Sequence, residues 1–168
     1  TCTSPPGHSI RAHVGAREDV NRDDQVGIYL DTFDDDRRGF IFYLNALGVQ
    51  QDIRAGDDTG WSQEWDARFQ SRGRITDDGY VVEVAIPFSS LRFPRGESQQ
   101  FGLILTRKLA EQNAKLIFPQ VPQGPGMWAH AATLTGLDGV EPGYPLEVIP
   151  SVVLGHSWSR DDPGDPMR

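Results

Sequence analysis

The chain has a single cysteine, no long apolar run and a shortage of basic residues, and each of these features excludes something. Cys2 has no second cysteine with which to form an internal disulfide bond. No stretch approaches the ~20 consecutive apolar residues that a membrane-spanning helix needs. Lys and Arg number 16 against 24 Asp and Glu, which gives a net charge of −8. This charge argues against a nucleic-acid partner, because neutralising phosphates requires clustered basic side chains.

Motifs of the common enzyme classes are also missing. The sequence contains no Gly-x-Ser-x-Gly, no phosphate-binding or dinucleotide-binding glycine loop and no His-Glu-x-x-His. The four histidines are dispersed, without the spacing of metal ligands. We therefore expect a non-catalytic protein. A glycoside hydrolase remains an alternative, because it needs only two carboxylates and 24 acidic residues could supply them.

What is present is enough for one globular domain. A chain of 168 residues with 38% hydrophobic residues can bury a real core. The first residues, Thr1 to Pro6, show neither an initiator Met nor a targeting pattern, which indicates a piece of a longer protein. We expect a domain over residues 1–150, followed at 151–168 by an Asp- and Pro-rich linker or a lead-in to a further domain.

Short alternating segments dominate the chain and predict an all-β fold. The expected strands are 26–31, 38–45, 49–53, 65–72, 80–86, 101–107, 116–118, 131–137 and 146–154. Residues 76–79 predict a hairpin turn, 87–91 a single helical turn, and 54–64 a loop. Only 109–115 could extend a helical turn further. Hairpin-ordered strands without amphipathic helices are typical of an antiparallel β-sandwich or jelly roll.

Acidic residues cluster in the first part of the chain. Asp24, Asp31 and Asp34 are candidate calcium ligands, because calcium prefers several carboxylate and carbonyl oxygens from flexible loops. The spacing does not match an EF-hand, since position twelve counted from Asp34 is Asn45. The alternative is that these carboxylates are solvated turn residues that cap strand ends.

Tryptophans with polar neighbours suggest a sugar site. Trp61 and Trp65 lie in or beside the predicted central loop together with Asp66, and Trp128 follows a glycine-rich segment. An exposed indole offers a flat apolar face to a pyranose, and carboxylates, amides and guanidinium groups can bind its hydroxyls. The alternative is that these indoles plug the core, which the position of Trp65 at a strand start favours.

Two charged residues interrupt otherwise apolar strands. Glu83 and Arg107 would form a structural salt bridge if their strands were neighbours. Otherwise, they would face a concave sheet and bind ligand hydroxyls.

Several segments resemble the family 9 carbohydrate-binding module over roughly residues 14–150. The string from Ile86 to Phe93, Ile-Pro-Phe-Ser-Ser-Leu-Arg-Phe, is the most specific part of the similarity. The other similar segments are Arg17-Glu18-Asp19, Asp23-Asp24-Gln25-Val26, Leu30-Asp31-Thr32-Phe33-Asp34-Asp35, Phe40, Phe42, Asn45-Ala46-Leu47-Gly48, Asp52, Trp65-Asp66, Gly79-Tyr80, Glu83 and Arg107. The version it resembles most stands at the N-terminus of bacterial outer-membrane proteins, ahead of a predicted β-barrel.

The resemblance implies a sandwich or jelly roll that binds an oligo- or polysaccharide, with structural calcium in some members. It also implies a location in the cell envelope, periplasmic or associated with the outer membrane, a following β-barrel domain, and further strands upstream of Thr1. The main alternative is a structural or plug domain that binds no sugar. A haem-binding relative would need axial ligands, for which Met127 and His130 are the only neighbouring pair.

Overall fold

The computed structural model describes residues 1–121 and 126–143, and the single residues 150, 152 and 155. These residues form ten strands and two single-turn 3-10 helices, Phe88–Ser90 and Trp128–His130. The strands are β1 Cys2–Thr3, β2 Gln25–Asp31, β3 Arg38–Asn45, β4 Gln50–Gly56, β5 Gly60–Ser62, β6 Gln70–Thr76, β7 Gly79–Ala85, β8 Ser98–Leu109, β9 Ala114–Phe118 and β10 Ala132–Asp138.

The strands form two antiparallel sheets. The small sheet has the order β1-β7-β6. The large sheet has the order β10-β8-β2-β3-β4-β5, and β9 pairs with β8 beside β10. The predicted all-β class is confirmed, and the two sheets agree with a β-sandwich. This strand order does not establish the finer jelly-roll topology.

The main core lies where the sheets pack together. Phe40, Phe42 and Leu44 alternate along β3 and point from the large sheet into this core, while Val82 and Val84 of β7 pack against the cluster from the small sheet. The period of two places every second residue on one face of the sheet. Phe101 of β8 completes this layer. Its apolar side chains hold the two sheets together.

The opposite face of the large sheet is also covered, but by loops. Tyr29, Ile41 and Tyr43 form a second buried cluster there. Val20, from the segment before β2, and Trp128 lie over them. Both faces of β3 are therefore buried, which explains why Phe40 to Leu44 is a continuous apolar run rather than an alternating one.

The strand predictions succeed best in the centre of the large sheet. The predicted strand 38–45 coincides with β3, and 26–31 differs from β2 by one residue. The hairpin turn at 76–79 joins β6 to β7, and the helical turn at 87–91 is the 3-10 turn Phe88–Ser90. Most of the predicted strand 146–154 and all of the tail 159–168 lie outside the described residues.

Three boundaries were predicted wrongly. Residues 65–69 are not part of a strand, because the backbone amide of Ala67 donates to Asp52 Oδ2 at 2.6 Å and its carbonyl accepts from Arg17 Nη2 at 2.5 Å. These bonds replace the ladder that a strand would need. The predicted loop 54–64 contains the end of β4 and the short strand β5. Residues 109–115 form the β8–β9 hairpin rather than a helical turn.

Candidate functional site: an aromatic face on the large sheet

Aromatic side chains gather on the side of the large sheet that faces away from the small sheet. Tyr29 of β2 and Tyr43 of β3 form the floor, Trp61 of β5 and Trp128 flank Tyr29, and Lys115 of β9 approaches from the other edge. We call these five residues the aromatic face. The sheet register brings them together from widely separated parts of the chain.

The two tyrosines form a hydrogen-bonded pair. Their hydroxyl oxygens are 2.5 Å apart, and their rings meet edge to face with centroids 5.8 Å apart. Burial, followed by the charge and hydrogen bond of Tyr29, raises the pKa of Tyr43, so this phenol stays protonated. The Lys115 ammonium donates to the Tyr29 hydroxyl at 3.1 Å and lies 5.6 Å from the centroid of its ring.

Trp61 is the exposed indole of this face. Its side chain is 55% exposed, and its ring centroid lies 6.3 Å from that of Tyr29 in an edge-on arrangement. Its partner in the β4–β5 ladder is Ala55, a small residue that is itself buried. Trp61 therefore contacts Tyr29 with one part of its ring and presents a flat apolar surface to solvent.

Trp128 supports the face from within. It is 2% exposed, and its ring centroid lies 6.1 Å from that of Tyr29. The ring rests on the backbone of Gly39, because a Cβ at that position would lie only 2.5 Å from Cη2 of Trp128. Because Trp128 is buried, the expectation that it binds ligand directly is wrong. Its role is to pack beneath the exposed residues of the face.

A buried amide extends the floor beside the tyrosines. Gln51 of β4 is the ladder partner of Tyr43 and is 1% exposed. Its Oε1 atom is buried and has no hydrogen-bond partner among the described residues. An acceptor left in this state is costly unless a donor reaches it. Sequence reasoning missed Tyr29, Tyr43, Gln51 and Lys115, because their shared face depends on the register of four strands.

Trp65 does not belong to this face. It lies on the opposite side of the large sheet, with its ring centroid 4.5 Å from Phe40 and 5.8 Å from Phe42, in the core between the sheets. The expectation that Trp61 and Trp65 form one site is therefore wrong. The alternative that Trp65 is core is confirmed.

The predicted polar ligands are scattered. Asp66 is exposed, and its Oδ1 lies 3.0 Å from Arg17 Nη2. Glu83 lies in the small sheet opposite Arg72, whereas Arg107 lies in the large sheet, donates to the Thr3 carbonyl at 2.6 Å and stacks over Tyr80. Glu83 and Arg107 are thus not on neighbouring strands, and the predicted salt bridge between them is wrong. None of the three reaches the aromatic face.

The three candidate calcium ligands do not converge. Asp24 and Asp31 stand at opposite ends of β2, which places them about 20 Å apart. Asp24 accepts from His8 Nε2 at 2.6 Å and from the amide of Arg11 at 2.9 Å. Asp31 accepts the amides of Phe33, Asp35 and Asp36. These contacts are those of carboxylates that fix loops and turns.

Asp34 shows the same structural character. Its φ is 52°, a left-handed conformation in the β2–β3 turn that Asp tolerates better than most residues. Burial raises the pKa of Asp31 beside it, although backbone amides oppose the rise. Among the residues described by the structure, no group of three or more His, Cys, Asp or Glu side chains is arranged to hold a metal ion.

A separate charged depression lies at the same end of the large sheet as this turn. It has a volume of about 210 Å³ and is lined by Asp35, Arg37, Arg38, Gly56, Asp57, Asp58 and Thr59. Its charges pair with one another, at 3.1 Å between Arg37 and Asp58 and at 2.8 Å between Arg38 and Asp35. Because both arginines are already paired with carboxylates, the depression has fewer groups to offer a ligand than the aromatic face.

Comparisons with family models, with curated proteins and with solved structures found no significant match to this chain. The function must therefore be argued from the aromatic face itself. Within the described ranges, no helix is long and apolar enough to span a membrane.

Proposed function

We propose that this domain binds a carbohydrate without transforming it, on the aromatic face of the large sheet. The observation that carries the proposal is Trp61, an indole that is 55% exposed although it is held against Tyr29. Such a ring offers a preformed apolar platform for the C–H face of a pyranose. The resemblance to the family 9 carbohydrate-binding module supports the same function.

The surroundings of Trp61 supply polar groups as well. Lys115 is an exposed residue, and its ammonium lies over the ring of Tyr29. Binding sites of this kind combine a largely apolar lining with a few placed polar groups that fix orientation. The aromatic face has this composition, and its floor is held rigid by the tyrosine pair and Trp128.

Glycan binding can be tested by isothermal titration against a panel of neutral and acidic oligosaccharides. We expect heat with at least one glycan, and loss of that heat in Trp61→Ala. Phe118→Ala is the matched control, because Phe118 is 60% exposed but lies on the other side of the large sheet. Absence of binding to every glycan, or equal binding by Trp61→Ala and the unchanged protein, would contradict the proposal.

A second candidate is a structural domain that docks on another part of a cell-envelope protein, such as a following β-barrel domain. The observation that favours it is an apolar patch on β8 and β9, where Leu105, Leu116 and Phe118 are 40%, 55% and 60% exposed. Leu105 and Phe118 are ladder partners and therefore present one continuous surface. If Leu116→Asp abolished docking while glycans never bound, this second function would replace the first.

A further inference from the structure

A second lysine faces Lys115 of the aromatic face, without a carboxylate between the two. Lys108 of β8 and Lys115 of β9 are ladder partners, so their side chains leave the sheet on the same side. Lys108 donates to the carbonyl of Asn21, and Lys115 donates to the Tyr29 hydroxyl. Neither makes an ion pair with a carboxylate in the part of the chain that the structure describes.

This arrangement is unfavourable for the protein alone. Like charges placed directly opposite one another on a sheet repel. The chain carries 24 acidic residues and a net charge of −8, so carboxylates are abundant elsewhere on the molecule. The carboxylate of Glu111, in the β8–β9 turn, accepts a hydrogen bond from the amide of Ser9 at 3.0 Å and lies 3.4 Å from the His8 ring. The two ammonium groups therefore form a local positive spot on an acidic protein.

The positive spot is within reach of the indole platform. Lys115 Nζ lies 5.6 Å from the Tyr29 ring centroid, and the Trp61 ring centroid lies 6.3 Å from the same point. The ammonium and the indole are consequently no more than about 12 Å apart, on two sides of one tyrosine. A short saccharide can span this separation.

We propose that the ligand of the aromatic face is an acidic oligosaccharide containing a uronic acid. Its sugar ring lies on Trp61, and its carboxylate accepts a charge-assisted hydrogen bond from Lys115, with Lys108 adding to the attraction. This inference rests on the proposed carbohydrate-binding function and specifies its substrate class. The protein's overall negative charge would repel such a ligand elsewhere, so binding is confined to this spot.

The test compares one oligosaccharide in two charge states. Oligogalacturonate and its fully methyl-esterified form have the same sugar backbone, but only the first carries carboxylates. Isothermal titration of the unchanged protein should show tighter binding of the free acid, and the difference should shrink as ionic strength rises. Lys115→Gln should weaken binding of the acid roughly five- to tenfold and weaken binding of the ester by a smaller factor, because only the acid has a carboxylate for the ammonium to attract.

Arg74→Gln is the matched control. Arg74 is an exposed cation on β6 of the small sheet, so its loss changes the net charge by the same amount far from the aromatic face. Equal weakening of acid binding by Arg74→Gln and Lys115→Gln would overturn the inference, because only a general charge effect would remain.

The remaining outcomes separate this inference from the function on which it rests. Equal affinity of the unchanged protein for the acid and the ester, with binding of both lost in Trp61→Ala, would overturn the acidic ligand and leave carbohydrate binding in place. No binding of any glycan in the panel would overturn both.

Discussion

Placing one methyl group on Gly39 tests the packing that holds the aromatic face. In Gly39→Ala the new Cβ would lie 2.5 Å from Cη2 and 2.7 Å from Cζ3 of Trp128, and would press on the carbonyl oxygen of Leu30. Ordinary carbon contacts lie at roughly 3.5–4.0 Å, so the indole must move by about 1 Å. Trp128 is 2% exposed, so this movement would have to displace the residues packed around it.

Overpacking of this kind costs about 1–3 kcal/mol. For a domain of this size, that range corresponds to a fall in Tm of roughly 2–12 °C. Urea denaturation followed by circular dichroism measures the change in the free energy of unfolding. Gly15→Ala is the control, because the nearest atom to its Cβ would be Asp19 Oδ2 at 3.6 Å, and we expect a change within about 0.5 kcal/mol.

A double-mutant cycle identifies the atom responsible. In a Trp128→Leu background, Gly39→Ala should cost less, because the indole that it strikes has gone while the contact with Leu30 remains. If Gly39→Ala were as stable as the unchanged protein, Trp128 could not be seated on the sheet as described. The support assigned to the aromatic face would then be refuted.

Three further predictions concern the rest of the framework. Asp52→Ala should lower the free energy of unfolding, measured in urea, by about 3–5 kcal/mol, because it removes a fully buried carboxylate from its arginine and backbone partners. An unchanged free energy of unfolding would contradict the role of this carboxylate in fixing residues 65–69. Burial alone would raise the pKa of Asp23, but hydrogen bonds from His13 and a neighbouring amide hold it below its usual value. The stability contributed by Asp23 should therefore be present above about pH 4 and lost as the pH falls through the lower folded-state pKa, so thermal melts of Asp23→Asn should depend less on pH in that window. Trp65→Ala should destabilise the domain by about 3–5 kcal/mol and Trp61→Ala by about 1 kcal/mol, because only Trp65 packs in the core. Equal losses of stability in the two variants would count against placing these residues on opposite sides of the sheet.

Local pattern was enough to predict the two central strands of the large sheet. The alternation in 26–31 and the long apolar run of 38–45 give β2 and β3 almost to the residue, because both elements follow the period of two or are buried on both faces. The Asp-Gly hairpin between β6 and β7 was predictable for the same reason, since its turn chemistry is local.

Contacts distant in sequence explain the failures. Residues 65–69 look like a strand, but Arg17, fifty positions away, and Asp52 take the backbone groups of Ala67. The sequence around Trp65 gives no indication of these distant partners. Trp61 and Trp65 are neighbours in the sequence and yet lie on opposite sides of the large sheet, because an irregular segment intervenes.

The aromatic face was beyond sequence reasoning for a related reason. Its members come from β2, β3, β5 and β9 and from the turn containing Trp128, so it exists only when the ladder register is known. Lys115 was further hidden because 109–115 was the one segment whose sequence could extend a helical turn. The segment is instead a hairpin, and the pairing of β9 with β8 brings the Lys115 ammonium to the Tyr29 hydroxyl.

The two sides of β3 have different roles: one packs in the core, and the other contributes to the aromatic face. Phe42 points into the apolar core between the sheets, whereas Tyr43, the next residue, points to the aromatic face. On the core side, the small sheet covers Phe42 and its neighbours, although the β8–β9 edge stays exposed. The other side is covered only by loops and by side chains such as Trp61 and Lys115, which remain exposed. Because neighbouring residues of one strand serve these different sides, the exposed residues of the aromatic face can be changed without opening the core between the sheets. A ligand site on the aromatic face would therefore be supported by central strands of the large sheet, while its exposed residues, Trp61 and Lys115, would set its specificity.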